Sequence, residues 1–172
     1  MKRIVSILIA ISLLCFSGCS NDRPSNTNTS VNFYYCSDPM EFNANNSVIR
    51  AETRQTRSID WATELSELVN LYFEGPVSSD LRSPFPTDIT LNNYSLDNDV
   101  LQVILSIQIS QLEGYDLTLA CACLTKTLLE IVPAEAVEIR AEGGKMGDSI
   151  SVSMSRETLL LIDNYTQSER ED

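Results

Sequence analysis

Histidine is missing from this sequence of 172 residues. It is the most common acid–base side chain of enzymes, and it belongs to most zinc sites and to the Ser-His-Asp and Cys-His arrangements of nucleophilic catalysis. The sequence therefore excludes the usual forms of these chemistries. Nothing selects one pair from the 24 acidic residues as a carboxylate pair for glycoside cleavage. We expect a protein that is not an enzyme and that uses no cofactor and no metal.

Basic residues are also scarce, with 12 Lys and Arg against 24 Asp and Glu and a formal net charge of −12. Residues 1–18 contain two of the basic residues and no acidic one, so the chain beyond them has a net charge of −14. Such a domain is repelled by nucleic acid and by anionic bilayer surfaces. We therefore expect no nucleic-acid partner.

No apolar run reaches the roughly 20 residues that a membrane-spanning helix needs. The run from Ile4 to Phe16 follows two basic residues and has the form of a secretory signal peptide. Ser17 and Gly18 directly precede Cys19. This arrangement resembles the lipobox of bacterial lipoproteins.

The lipobox resemblance implies that residues 1–18 are removed and that Cys19 becomes the first mature residue and carries lipid, such as palmitate. Two or three acyl chains would anchor the chain firmly, because each buried methylene contributes about 0.8 kcal/mol. We expect a lipid-anchored protein at the extracytoplasmic face of the cell membrane. An uncleaved N-terminal anchor is the alternative.

Residues 20–31 are polar and offer almost nothing to bury, which predicts a disordered tether over residues 19–31. A single folded domain is predicted over residues 32–155. Residues 156–172 are predicted to be a C-terminal extension with a frayed acidic end.

Hydrophobic periodicity predicts six strands and two helices in the order β-β-α-β-β-α-β-β. The strands are expected at 31–36, 47–53, 89–96, 100–107, 136–142 and 150–154, and the second of them at a sheet edge. The first helix is expected to begin after Ser58 or Asp60 and to stop at Gly75. The second is expected to follow Gly114 and Asp116 and to end at Pro133. This order favours an α+β fold with two helices packed on one side of a mixed, largely antiparallel sheet.

Two short segments contain residue types that are found in binding sites. Asp97 and Asp99 lack the glycine and glutamate spacing of an EF-hand loop, and with Asn98 they predict a hairpin turn. The stretch from residue 76 to 86, called the proline loop below, contains Leu81 and Phe85. These two residues are the candidate interface, because an exposed Phe85 would anchor a partner. The alternative is that Phe85 folds back onto the sheet.

Three cysteines remain beyond Cys19, namely Cys36, Cys121 and Cys123. Cys121 and Cys123 point in different directions on a helix, so they do not pair readily with each other. We interpret all three as small buried apolar residues. One disulfide from Cys36 to either of the others is the alternative.

Several features occur in a fixed order between residues 31 and 144. They are Phe33-Tyr34-Tyr35, the turn at Gly75-Pro76, Pro86, the Asp97-Asn98-Asp99 hairpin, Thr125-Lys126-Thr127-Leu128, Val137-Glu138-Ile139 and Gly143-Gly144. Together they resemble a GerMN domain, the extracytoplasmic module of sporulation and spore-germination proteins.

This resemblance implies a non-catalytic module with a fold similar to ring-building domains, which assemble side by side. It implies an envelope protein or a second copy as partner, and a role in sporulation or germination. The lipoprotein that gives the family its name has two such domains, whereas this chain has room for one. The alternative function is a cell-envelope enzyme, or a binder of a small ligand or metal, that uses acidic residues.

Overall fold

Seven strands, two α-helices and one 3-10 helix form most of the described part of this chain, and residues 156–159 are also helical. The structure is a computed structural model, and it describes residues 28–38, 48–57, 60–141 and 150–159. The elements are β1 (Asn28–Ser37), β2 (Ile49–Arg57), α1 (Trp61–Phe73), β3 (Leu81–Arg82), β4 (Leu91–Asp97), β5 (Val100–Leu105), a 3-10 helix (Ile107–Gln111), α2 (Gly114–Ile131), β6 (Ala136–Ala141) and β7 (Ser151–Ser155).

The predicted α+β class is confirmed, and the predicted elements occur in the predicted order, but one further short strand, β3, follows α1, and the strands form two sheets and not one. The first sheet has the order β2-β1-β3 and is antiparallel, and β2 lies at its edge as expected. The second has the order β4-β5-β6-β7 and contains one parallel pair, β5 with β6. The 3-10 helix and α2 connect these two parallel strands, which need a long crossover.

The burial of α2 explains why there are two sheets. From Leu119 to Leu129 every residue except Lys126 is buried, so the helix has no polar stripe in this stretch. A helix that is apolar on all sides must be covered on all sides. The cover comes from β1 of the first sheet and from β6 and β7 of the second.

Helix α1 begins and ends at the residues that the sequence predicts. The Asp60 side chain caps it and accepts a hydrogen bond from the N–H of Ala62 at 3.1 Å. Gly75 follows its end with φ +88°, a conformation that favours glycine. Its buried face places Tyr72 parallel to Tyr35 of β1, with ring centroids 4.9 Å apart.

The hairpin between β4 and β5 also agrees with the prediction. Asp97 pairs with Val100, and the two residues between them, Asn98 and Asp99, have φ of +49° and +61°. Positive φ at both central residues is the type I′ turn that joins twisted antiparallel strands.

The predicted N-terminal boundary of the domain is wrong by a few residues. Strand β1 begins at Asn28, so residues 28–31 of the predicted tether belong to the sheet. The reason is that β2 continues to Arg57 and supplies partners for this polar stretch, including a 2.7 Å hydrogen bond from Gln55 to Ser30. The predicted signal peptide, Cys19 and residues 143–144 lie outside the described residues.

On the edge of β1 that does not face β2, side chains pair with the backbone groups of Tyr34. The N–H of Tyr34 donates to Thr127 Oγ1 of α2 at 3.0 Å, and the Tyr34 carbonyl accepts from Tyr72 Oη of α1 at 3.0 Å. Thr127 Oγ1 in turn donates to the Cys123 carbonyl at 3.0 Å. Both helices therefore satisfy backbone groups that a neighbouring strand would otherwise pair.

We predict that Thr127→Val lowers the free energy of unfolding by about 1–3 kcal/mol, because the Tyr34 N–H loses its acceptor in the interior. Urea denaturation measures the change. Thr127→Ser keeps the hydroxyl and is the matched control, so it should be the milder substitution. Equal stability of Thr127→Val and the unaltered protein would contradict this role.

Candidate functional site

The candidate interface residues Leu81 and Phe85 are both buried, each with 7% of its surface exposed. The Phe85 ring packs edge-on against Phe73 and Tyr72 of α1, at centroid distances of 5.3 and 6.1 Å. Ser83 Oγ accepts the N–H of Phe85 at 3.2 Å and helps to fold the loop inward. The prediction that these residues anchor an interface is therefore wrong. Phe85 does fold back, onto α1.

The exposed apolar residue of the proline loop is Val77, which has 84% of its surface exposed. It stands two residues after Gly75, where the chain leaves α1. The sequence analysis did not identify Val77, because it predicted the interface at the larger apolar side chains of Leu81 and Phe85. The available signal was the Gly75-Pro76 helix stop, which directs the following residue away from the helix.

Glu52 of β2 holds this part of the loop by its backbone. Its Oε2 accepts hydrogen bonds from the N–H groups of Val77 at 2.9 Å and Ser78 at 2.8 Å. Its Oε1 accepts from Arg54 Nε at 2.6 Å. The side chains of Glu52 and Arg54 are only 12% and 13% exposed, so this ion pair is largely removed from solvent.

Arg54 fastens the end of α1 to the same point. Its guanidinium donates to the carbonyls of Gly75 at 2.6 Å and Leu71 at 3.4 Å. These carbonyls lie at the negative end of the helix, where a cation is favourable. The guanidinium also lies 5.1 Å from the ring centroid of Phe33 and 5.8 Å from that of Tyr35.

The electrostatics of Glu52 follow from these contacts. Burial by itself raises the pKa of the Glu52 carboxyl, but the hydrogen bonds from Ser78, Arg54 and Val77 outweigh it and hold the pKa below its ordinary value. The ionised form is therefore the one that the fold stabilises. That contribution is complete above the ordinary pKa of glutamate and is lost as the pH falls through the lowered pKa.

A second set of contacts holds the loop at Asp80, three residues after Val77. The Asp80 carboxylate accepts hydrogen bonds from Ser78 Oγ and from Arg50 Nη2 of β2, the latter at 3.3 Å. The hydrogen bond from Ser78 is the main reason that the pKa of Asp80 is lowered. The Asp80 carbonyl also accepts from the N–H of Asp38 at 2.8 Å. Val77 thus lies on a turn fixed from both sides.

In the described ranges no cluster of three or more Cys, Asp and Glu side chains could hold a metal ion. No helix in these ranges is both long and apolar enough to cross a membrane.

A cleft of about 420 Å³ lies beside β3 and is lined by Cys36, by residues 82–86, and by Leu112, Asp116 and Leu119.

The three cysteines of the domain are free and buried, as the sequence interpretation expects. Burial raises the pKa of Cys121 to about 12. Burial likewise raises the pKa of Cys123.

The family profile named Germane, described as "Sporulation and spore germination", matches residues 32–147. This match covers more than half of the chain, and the chain therefore belongs to that family. The predicted GerMN resemblance is confirmed. The sequence matches no curated protein.

Two solved structures from Bacillus subtilis have the same fold. The first GerMN domain of the sporulation protein GerM aligns with a TM-score of 0.54 at 20% identity, covering 75% of this chain and 98% of that one. The tandem GerMN domains of GerM align with a TM-score of 0.54 at 13% identity, covering 74% of this chain and 43% of that one. The present chain thus spans less than half the length of the tandem protein.

We predict that Glu52→Gln lowers the free energy of unfolding at neutral pH by about 1.5–3 kcal/mol, because it removes charged hydrogen bonds from a site with little solvent. The loss should shrink as the pH falls through the lowered pKa of Glu52, since the carboxyl of the unaltered protein is then neutral too. Urea denaturation across a pH series measures both effects.

Glu67→Gln is the matched control for this prediction. Glu67 pairs with Arg57 at 2.5 Å, but its side chain is 70% exposed. An exposed pair contributes less than about 1 kcal/mol. If both substitutions changed stability equally, Glu52 would have no special role in holding the loop.

Proposed function

We propose that this chain is a lipid-anchored, non-catalytic assembly module that acts in sporulation or spore germination at the extracytoplasmic face of the membrane. Its partner is an envelope protein or a second copy of the chain. The observation that carries the proposal is Val77, an exposed apolar side chain on a turn fixed by Glu52 and Asp80. Membership of the sporulation and germination family supports the biological setting.

The rigidity of this turn favours binding. An interface loop that is ordered before it meets its partner loses less conformational entropy on association. Here the two backbone N–H groups at Val77 and Ser78 are already bound to Glu52. An apolar residue held in this way can enter a partner pocket without first being ordered.

The lipid on Cys19 has a clear purpose in this proposal. Anchoring confines the module to the membrane surface and so raises its effective concentration towards partners in the same membrane. The strong negative charge of the mature chain is repelled by an anionic bilayer surface. The anchor therefore holds close to the membrane a domain that would not bind the surface on its own.

The alternative function, an envelope enzyme or a small-ligand binder that uses acidic residues, has less support. It requires paired carboxylates in a cleft. Asp116 is the single carboxylate among the residues that line the Cys36 cleft. A second cleft of about 410 Å³ beside α1 is lined by three carboxylates, Glu64, Glu67 and Glu74. Glu64 and Glu67 of this cleft are paired with Arg57. A thermal shift of the protein by a cell-wall sugar or a divalent metal would favour this alternative.

We predict that Cys19→Ala releases the protein into the medium or leaves it unprocessed, because no acyl chain can then be attached. Membrane fractionation and the mass of the N-terminal peptide measure the outcome. Normal processing with unchanged membrane retention would contradict the lipid anchor.

We predict that Val77→Asp weakens partner association by about 1 kcal/mol or more, because a charge replaces the apolar contact. The test places a photo-reactive amino acid at residue 77 in intact sporulating and germinating cells and identifies the crosslinked protein. A photo-reactive residue at Ser95, which is exposed on β4, is the matched control.

Crosslinking from position 77 to a second copy or to one envelope protein, and not from position 95, would support the proposal. Equal and diffuse crosslinking from both positions would contradict it. Because Val77 is 84% exposed, its substitution should leave the free energy of unfolding unchanged, and this is checked in parallel.

A further inference from the structure

The Cys36 cleft has an apolar floor to which three parts of the chain contribute. Cys36 of β1, Phe85 of the proline loop and Leu119 of α2 line it, and all three residues are buried. The cleft has a volume of about 420 Å³. Pockets that hold small molecules measure about 300–1,000 Å³ and are lined mainly by apolar side chains. The cleft thus has the size and the floor of a small-ligand site.

A positive charge borders this floor from β3. The register of β1 with β3 places Arg82 directly opposite Cys36, so the two side chains lie on the same side of the sheet. This side faces α2, because the hydroxyl of Tyr34, two residues before Cys36, donates a hydrogen bond to Glu130 of α2. Arg82 lines the cleft and is exposed, as expected of a residue at its rim.

A negative charge borders the same floor from α2. Asp116 lies in the first turn of this helix, three residues before Leu119, so their side chains share one side of the helix. Asp116 also lines the cleft and is exposed. The cleft therefore combines a buried apolar floor with two opposite charges that come from different elements.

An exposed aromatic residue stands beside the negative charge. Tyr115 has 53% of its surface exposed and lies four residues before Leu119, on the side of α2 that contributes to the floor. It adds apolar surface next to the cleft. Apolar and aromatic walls with a few charged groups are the usual composition of a small-ligand site.

We propose that the Cys36 cleft binds a zwitterionic amino acid or short peptide that has an apolar side chain. The Asp116 carboxylate accepts hydrogen bonds from the ammonium group of the ligand, and the Arg82 guanidinium donates to its carboxylate. The apolar side chain lies on the floor. A guanidinium has five N–H donors, so Arg82 can keep its other contacts while it binds the ligand.

The arrangement of charges determines which ligands the cleft rejects. A ligand that carries only one charge leaves either Arg82 or Asp116 without an ionic partner, and a sugar or a metal ion has no side chain for the floor. The volume admits a free amino acid or a dipeptide. This proposal is independent of the assembly role proposed above, and it does not need the paired carboxylates of an acidic enzyme.

The test measures the binding of three ligands, L-leucine, L-phenylalanine and L-leucyl-L-leucine, to the full-length protein solubilised from membranes. Isothermal titration calorimetry should detect binding of at least one of them, and the comparison tells free amino acids from peptides. N-acetyl-L-leucine has no ammonium group and L-leucinamide has no carboxylate, so they are the matched ligand controls. Each should bind at least about tenfold more weakly than L-leucine, because one charged hydrogen-bonding group is lost.

Two variants locate the site. Asp116→Asn should bind L-leucine at least about tenfold more weakly and should lose the preference for L-leucine over its acetylated form, while it keeps the preference over the amide. Arg82→Gln should show the reverse pattern. Glu67→Gln removes an exposed charge outside this cleft, so it is the matched control and should bind like the unaltered protein.

Circular dichroism checks that each variant is folded, and the comparison of ligands on the unaltered protein needs no variant. The proposal is overturned if none of the three ligands binds at about 10 mM, well above the Kd of a specific site. It is also overturned if the acetylated form and the amide bind as tightly as L-leucine, or if folded Asp116→Asn and Arg82→Gln bind like the unaltered protein.

Discussion

The burial of α2 is the constraint on which the rest of the fold depends. Because its central residues are apolar on all sides, one sheet cannot cover it, and the strands divide into two sheets that contact it. This burial also brings Thr127 of α2 to β1, where its hydroxyl accepts the hydrogen bond of the Tyr34 N–H. The same helix thus closes the interior and satisfies the backbone of the strand beside it.

The ion pairs of the described residues differ in how far they are exposed to solvent. Most ion pairs of the described residues are exposed, like Arg57 with Glu67, and contribute little. The pair of Glu52 with Arg54 differs because it is enclosed, and because its remaining hydrogen-bonding capacity is used on backbone groups of the α1 terminus and the proline loop. Removing two charges from water is costly unless hydrogen bonds offset the loss. Here the hydrogen bonds of Glu52 to the loop backbone do so, and they fix the geometry of the turn from which Val77 projects.

Local signals in the sequence predicted the local features well. Asp60 and Gly75 delimit α1, and Asn98 with Asp99 makes the hairpin, because caps and turns depend on residues a few positions apart. The division into two sheets could not be read in this way, since periodicity shows which face of a strand is buried but not which strand lies beside it. The Gly75-Pro76 helix stop indicated that the chain leaves α1 before Val77. The turn that holds Val77 could not be read from it, because that turn depends on a carboxylate 25 residues earlier in the chain.

Strand β2 has a consequence for contacts between copies of the domain. It pairs with β1 alone among the described strands, so one of its edges offers unpaired backbone groups to any neighbour. Where copies of a domain come close together, open edges tend to join into continuous sheets. Arg50 and Arg57 place exposed ionised side chains near the two ends of this strand, and charges on an edge discourage such joining. The free edge of β2 is thus guarded against joining by charge at both of its ends.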